Sequence, residues 1–197
     1  MGEVKHLTDK MGEYIDSARV IQVSGPSGTS VSFRVDGRKS LKLSGVFNWD
    51  NGFAILPDGE VATAPLEGTA DGKIVFDYSI DGVGLLKNPV ILTTKRGIAE
   101  KIEGGGDEAD EFTHILRDGG ENARNLAEFA VGTKPKARLI GTLAEDKKHL
   151  GSVHFALGDN HTVGGEVRSG VHLDGMVMKP TIKADGRIIV DAGKPTL

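Results

Sequence analysis

The chain has 197 residues, with 24 basic residues against 28 acidic residues and a formal net charge of −4. Mixed charge without a basic stripe excludes nucleic acid as the expected partner, and the absence of cysteine excludes disulfides, thiolate nucleophiles and cysteine-ligated zinc. No apolar run approaches the roughly 20 residues that span a bilayer, and the first residues lack the apolar stretch of a secretory signal. We therefore expect a cytoplasmic protein without membrane contact.

The amino-terminal half predicts one helix followed by short strands. Leu7, Met11 and Ile15 recur every four residues, which is typical of an amphipathic helix, here over residues 6–18. The 28 glycines and the low aromatic content of 5% favour short strands, tight turns and an aliphatic core. The predicted strands cover residues 19–23, 30–35, 61–65, 73–80 and 90–103. The stretch 41–56 has no clear pattern, and its tryptophan, Trp49, is expected to pack there.

The carboxyl-terminal half predicts the remaining helices and a closing hairpin. Asp107 is a candidate cap for a helix over 107–117, and Gly132 and Pro135 end a second predicted helix over 121–130. Further elements are a short strand at 138–141, a helical turn or two at 143–150, strands at 152–157 and 171–178, and a hairpin around Asp185-Gly186. Together the elements predict an α+β fold: a strand-rich single domain over residues 1–197, with a few helices and a metal site between strands.

A cluster of histidines gives the first indication of chemistry. Three of the six histidines, His154, His161 and His172, fall within nineteen residues, and Asp174 follows His172 by two. Residues two apart on a strand point to the same face, so His172 and Asp174 can present an imidazole and a carboxylate to one ion. His154 lies in an apolar strand, where its ring nitrogens need partners. Spacing alone fits hydrogen-bonded structural histidines as well as a metal site, and the glycine-rich loop around His161 fits an ordinary turn.

Four longer segments resemble a known family. They read LPDGEVATAPLEGTADGKIVFD from Leu56, NLAEFAVGTKP from Asn125, GSVHFALGDNHTVGG from Gly151 and VRSGVHLDGMVMKPT from Val167. In this order and spacing they resemble the carboxyl-terminal half of the aminopeptidase T family of metallopeptidases, and the resemblance covers most of the chain from about Leu7. Members of that family usually carry a further amino-terminal domain, which this sequence is expected to lack.

The resemblance implies a metal-dependent aminopeptidase with a dinuclear site of zinc, cobalt or manganese. By position, the implied metal ligands are Glu60, Glu128, His154, His172 and Asp174. The two ions would activate a shared water for cleavage of the N-terminal peptide bond of a small peptide. The family's habit also implies a homodimer.

One position departs from the family pattern. Where the family's peptidases carry a tyrosine near the metals, this sequence has His161, which cannot reproduce a phenol. His161 is therefore the candidate catalytic residue, as a general acid, with an additional metal ligand as the other reading. Glu67, Glu145 and Asp146 are candidate groups for proton shuttling around the metals, and each is otherwise expected at the surface.

Two other functions remain open. His154, His172 and Asp174 match the two-histidine, one-carboxylate set of non-haem iron oxygenases. The ring-opening dihydroxypyridine dioxygenases resemble the same family, and that function implies one Fe(II) ion and a small-molecule substrate. In that case Glu60 and Glu128 have no ligand role. The third function is a non-catalytic one, in which a short relative keeps the metal but turns over no substrate.

Overall fold

The structure, a computed structural model, describes residues 2–47 and 56–196. Within these two ranges the chain forms three α-helices, one short 3₁₀ helix and two antiparallel sheets. This arrangement confirms the predicted α+β class. Trp49 lies outside the described residues, as does half of the stretch 41–56. None of the helices in the described ranges is long and apolar enough to cross a membrane.

Three of the four helical predictions are confirmed, including the helical turn predicted to begin at Leu143. The helices are α1 (Gly2–Ser17), α2 (Asp107–Asp118) and α3 (Leu143–Asp146), and the 3₁₀ helix spans His161–Val163. The helix predicted over 6–18 begins earlier than predicted, and Met11 and Ile15 of its apolar stripe are buried. The helix predicted over 107–117 is confirmed, but the cap position falls on the preceding glycine. Asp107 is instead the first helical residue, where its charge interacts favourably with the helix dipole.

Fifteen strands within the described ranges make up the two sheets. In chain order they are β1 (Val20–Ser24), β2 (Ser30–Arg34), β3 (Leu41–Leu43), β4 (Glu60–Thr63), β5 (Asp71–Phe76), β6 (Ser79–Ile80), β7 (Gly84–Leu85), β8 (Val90–Lys95), β9 (Ile98–Gly104), β10 (Leu126–Gly132), β11 (Val153–Gly158), β12 (His172–Val177), β13 (Thr181–Ala184), β14 (Arg187–Asp191) and β15 (Lys194–Pro195). The first sheet has the order β15-β14-β13-β1-β2-β5-β8-β9, and the second has the order β3-β4-β10-β11-β12-β6-β7. The closing hairpin predicted around Asp185-Gly186 is the β13–β14 pair.

Two predicted elements are wrong. Residues 121–130 do not form a helix: turns lead into strand β10, which pairs with β4 on one side and β11 on the other. All seven residues of β10 are buried because the strand is central and covered on both faces. Such a strand is a continuous apolar run, which periodicity does not distinguish from a buried helix. Residues 138–141 form no strand, only an irregular segment with a bend.

The main core lies between the two sheets. Phe33 on β2 packs against Phe129 on β10 and Phe155 on β11, with ring centroids 5.2 Å and 5.9 Å apart. Because successive residues of a strand point to opposite faces, the neighbours Glu128 and His154 project to the other face of the second sheet. The fold therefore gives this sheet one aromatic and aliphatic face and one face that carries polar groups.

Candidate metal centre

The five predicted metal ligands lie on four neighbouring strands in the middle of the second sheet. Glu60 begins β4, Glu128 lies in β10, His154 lies in β11, and His172 and Asp174 lie in β12. The register pairs Ala130 with His154 and Ala156 with Asp174, and directly paired residues share a face. All five side chains therefore project from the face opposite the phenylalanine core, and His172 and Asp174 share that face as their spacing indicated.

Small residues occupy the positions between these five. Ala62, Ala130 and Ala156 are buried on the same face, and Gly132 is the register partner of Glu60. Because alanine and glycine add little volume, the longer acidic and imidazole side chains of neighbouring strands can converge above them. The choice of small residues on this face is thus what leaves room for a site.

Glu128 bridges the two imidazoles. Its Oε1 atom lies 3.3 Å from Nε2 of His154, and its Oε2 atom lies 3.0 Å from Nε2 of His172. Glu128 is buried and His154 is fully buried. A carboxylate removed from water needs such donors, since an unpaired buried charge costs several kcal/mol. The bridge therefore holds both rings against the same carboxylate.

A backbone carbonyl orients the ring of His172. Its Nδ1 atom lies 2.7 Å from the carbonyl oxygen of Asp159, and a carbonyl can only accept, so Nδ1 carries the proton and donates. The other nitrogen, Nε2, faces the carboxylates and lies 3.4 Å from Oδ1 of Asp174. Metal-binding histidines are held in this way, with one nitrogen hydrogen-bonded and the other directed at the ion.

The cluster shifts the pKa values of its own members. Burial opposes ionisation of Glu128, but hydrogen bonds from His154 and His172 outweigh burial and lower its pKa to about 2. Burial also opposes protonation of His172, yet Asp174 and Glu128 raise its pKa to about 11. The pKa of Asp174 is held well below its usual range, against the effect of burial, by the two histidines and Lys147. Without a metal, His172 is therefore a cation at neutral pH and supplies the positive charge between the carboxylates.

Two lysine side chains form ion pairs with carboxylates of the cluster. Nζ of Lys147 lies 2.7 Å from Oδ2 of Asp174, and Nζ of Lys148 contacts Oε1 of Glu60. Burial opposes the charge of Lys147, but the carboxylates of Asp174 and Glu60 raise its pKa above the usual range. The sequence analysis missed both lysines, because they follow Glu145 and Asp146 and the run has the composition of a solvated surface segment. No pattern in the sequence separates them from exposed lysines.

Glu128, His172 and Asp174 form a group that could hold a divalent metal ion. One ligand atom from each lies within 4.8 Å of the other two. Oδ1 of Asp174, Oε2 of Glu60 and Nδ1 of His154 are buried and have no hydrogen-bond partner in the part of the chain that the structure describes. A buried acceptor without a donor is costly, and a cation is one way to satisfy it. The donor set of imidazole and carboxylate therefore fits a divalent ion.

A cavity of about 440 Å³ opens beside the cluster. Its walls are Leu41, Leu43, Glu60, Ala62, Glu128, Lys147, Thr162, Val163 and His172. One side is aliphatic and the other is charged, and the volume is within the range of roughly 300–1,000 Å³ typical of small-ligand pockets. An amphipathic small molecule can thus contact apolar side chains and the candidate metal ligands at the same time.

His161 immediately precedes two residues that line this cavity. It begins the 3₁₀ helix and is exposed, whereas Thr162 and Val163, the next two residues, line the cavity. The backbone N–H of His161 donates to Oδ1 of Asp159 at 3.0 Å, which holds the start of the helix in place. A catalytic role for His161 stays a prediction.

The three candidate proton-shuttling acids have structural partners. Glu67 is half-buried and accepts a hydrogen bond from the backbone N–H of Glu166 at 3.0 Å, which ties down the loop around the 3₁₀ helix. Glu145 pairs with Lys134 at 2.9 Å. The expected surface position of Asp146 is wrong: it is fully buried and accepts a backbone N–H hydrogen bond at 2.7 Å. The acidic run before the lysines therefore folds inward at Asp146.

Two solved structures with the same fold belong to different kinds of protein. The 2,5-dihydroxypyridine dioxygenase from Pseudomonas putida KT2440 matches 100% of this chain with a TM-score of 0.88 at 19% sequence identity. Wild-type AmpT from Thermus thermophilus matches 100% of the chain with a TM-score of 0.79 at 20% identity. The chain spans 60% of the dioxygenase and 56% of AmpT. At these identities the likenesses establish the fold alone, and they support the aminopeptidase T-like fold expected from the sequence.

Sequence comparison distinguishes between the dioxygenase and the aminopeptidase T-like protein as relatives of this chain. No curated protein matches the chain significantly, but the profile of the NicX family, described as 2,5-dihydroxypyridine 5,6-dioxygenase, matches residues 2–196. The predicted function, hydrolysis of an N-terminal peptide bond by a metallopeptidase, is therefore wrong, since this profile and the dioxygenase structure both favour the alternative. The segments behind the prediction lie within the fold that both solved structures share with this chain. Because the profile spans nearly all of the sequence, the chain belongs to the NicX family.

Proposed function

We propose that this chain carries the metal centre of a ring-cleaving dioxygenase whose substrate is a dihydroxylated aromatic ring. The observation that carries the proposal is the convergence of Glu128, His172 and Asp174 within 4.8 Å beside a cavity, in a chain of a dioxygenase family. Activity of the chain by itself is part of the proposal, since the chain spans 60% of the solved dioxygenase.

We assign His154, His172 and Asp174 as the protein ligands of the ion. Glu128, whose carboxylate contacts both imidazoles, lies beside these ligands as a further carboxylate. Two imidazoles and one carboxylate are the protein ligands of non-haem Fe(II) oxygenases, and they leave positions open for other ligands. Oδ1 of Asp174, buried without a hydrogen-bond partner among the described residues, fits an oxygen that binds a cation. When bound, Fe(II) supplies the electron transfer between the aromatic diol and dioxygen.

The cavity walls give the substrate its orientation. Leu41, Leu43 and Val163 form an apolar surface, which contacts the ring faces and excludes water. Lys147 is on the charged side of the cavity, and its ammonium can pair with an ionised ring hydroxyl. A flat ring with two acidic hydroxyl groups therefore suits both sides.

The test is oxygen uptake by the iron-loaded protein. Chelator-treated protein is loaded anaerobically with ferrous iron, mixed with 2,5-dihydroxypyridine, and exposed to a known amount of oxygen. We expect one dioxygen consumed per ring, with loss of the aromatic absorbance at the same rate. His172→Ala removes an imidazole ligand, and we expect it to abolish both signals.

The matched control is His114→Ala. His114 is an exposed histidine of α2 that pairs only with surface groups, 3.5 Å from Asp118, so this variant should keep the full rate. A protein that binds iron but consumes no oxygen with dihydroxylated rings contradicts the proposal. Equal rates in the His172→Ala and His114→Ala variants would place the reaction at another site.

A further inference from the structure

A buried lysine occupies a second cation position next to the proposed metal centre. Nζ of Lys148 contacts Oε1 of Glu60 and lies 3.9 Å from Oδ1 of Asp58. The side chains of Lys148, Asp58 and Glu60 are 2%, 2% and 4% exposed. Oε2 of Glu60 lies 3.7 Å from Nε2 of His154 and has no hydrogen-bond partner among the described residues. Glu60 thus connects the lysine to the centre.

The backbone is shaped to bring this lysine in. Gly132 is the register partner of Glu60 at the end of β10, and the turn that carries Lys148 lies directly against it. A Cβ atom at Gly132 would stand 2.1 Å from the carbonyl oxygen of His149 and 2.9 Å from the carbonyl carbon of Lys148. Only a glycine permits this approach, so the position of the ammonium over Glu60 is fixed by the main chain and not by a mobile side chain alone.

Charge balance leaves room for one divalent ion. Four buried carboxylates face the cluster, and they belong to Asp58, Glu60, Glu128 and Asp174. The ammonium groups of Lys147 and Lys148 neutralise two of these charges, and one divalent ion beside neutral imidazoles neutralises the other two. A second divalent ion would leave two excess positive charges in a site removed from water, which is strongly unfavourable. It could enter only if an ammonium left.

We propose that the ammonium of Lys148 takes the place of a second divalent ion, so that Asp58 and Glu60 form a latent metal site that lysine keeps closed. The inference deepens the proposed function and rests on it for the first ion. It replaces the dinuclear centre implied by the resemblance with a centre of one metal ion and one fixed ammonium.

Metal stoichiometry tests the proposal without any measurement of turnover. Chelator-treated protein is incubated with excess zinc chloride, freed of unbound metal by gel filtration, and analysed by plasma mass spectrometry. We expect one zinc per chain in the unaltered protein and two in Lys148→Met. The double variant Lys148→Met/Glu60→Gln should return to one, because the latent site loses its central carboxylate. Lys134→Met is the control, since Lys134 pairs with Glu145 outside the cluster, and should bind one.

The outcomes separate this proposal from the proposed function. Two zinc ions in the unaltered protein, or no gain in a folded Lys148→Met variant, would overturn it. No zinc in the unaltered protein contradicts the proposed function instead, and a gain of one ion in Lys148→Met would then still support the latent site. If Lys148→Met is unfolded without metal, recovery of its circular dichroism on addition of zinc supports the proposal, and absence of recovery counts against it.

Discussion

Replacing Glu128 by glutamine removes one buried charge between two imidazoles and keeps the shape of the side chain. The pKa of Glu128 is lowered from the ordinary 4.5 to about 2, which corresponds to about 3 kcal/mol of stabilisation of the charged form in the folded state. Because the folded-state pKa lies below the unfolded one, this stabilisation is present above about pH 4.5 and is lost as the pH falls toward about 2. We therefore expect metal-free Glu128→Gln to be less stable than the unaltered protein by up to about 3 kcal/mol at neutral pH, with the difference vanishing in acid.

Urea unfolding of chelator-treated protein, followed by circular dichroism between about pH 2 and pH 7, measures this difference. The control is Glu13→Gln in α1, whose carboxylate is 63% exposed and lies 3.4 Å from Lys10. An exposed pair of this kind contributes less than about 1 kcal/mol, so its pH profile should follow the unaltered protein. If Glu128→Gln also runs parallel to the unaltered protein across this range, the buried bridge does not carry the stability that we assign to it.

Three further predictions concern the metal and the core. His172→Ala should fold and should bind zinc more than about 100-fold more weakly, which exceeds the usual effect of residues that only support a ligand; unchanged affinity in a calorimetric titration would remove His172 from the ligand set. Because the pKa of His172 is about 11 without metal, ion binding must displace its proton. Zinc affinity should therefore rise about tenfold per pH unit near neutrality. Calorimetric heats of zinc binding that do not depend on the buffer's ionisation enthalpy would contradict this release of a proton. Gly175→Ala would place a Cβ 2.4 Å from the ring of Phe76 and should lower the free energy of unfolding by about 1–3 kcal/mol, whereas Gly2→Ala, which meets nothing within 4 Å, should leave the urea midpoint unchanged.

The strands that carry the histidines were predictable because their two faces differ chemically. In β11, Val153, Phe155 and Leu157 alternate with His154 and Ala156, and the apolar set packs in the main core. The same period of two placed His172 with Asp174 on β12. Where a strand has one apolar face and one polar or small face, the sequence alone assigns the face, and it did so for three of the five candidate ligands.

Glu128 shows where this reasoning stops. The strand around it reads Leu-Ala-Glu-Phe-Ala-Val-Gly, and every residue is buried. Alanine is as acceptable in a helix as on the crowded face of this site, so the pattern predicted a helix. The strand becomes evident only from its neighbours β4 and β11, which pair with it over long sequence separations. Resemblance, and not periodicity, identified Glu128 as a candidate ligand.

The positions of Lys147 and Lys148 in the site could not be predicted from the sequence, for a different reason. Burial of Lys148 depends on the close approach of its turn to Gly132 and on the carboxylates of Asp58 and Glu60, which lie far away in the chain. Charged residues are mostly exposed, and the exceptions depend on partners that local composition does not reveal. A lysine buried among acids is visible only after the strands have been brought together.

The fold of this chain occurs both in a 2,5-dihydroxypyridine dioxygenase and in AmpT. The fold alone therefore does not choose between their chemistries. In this chain, the ammonium groups of Lys147 and Lys148 and the protonated imidazole of His172 offset all but one of the charges of Asp58, Glu60, Glu128 and Asp174 without any metal. The cluster is then close to neutral before an ion arrives, so metal is not required to hold the strands together. Metal should therefore raise the unfolding temperature only by mass action, in proportion to its affinity for the folded state.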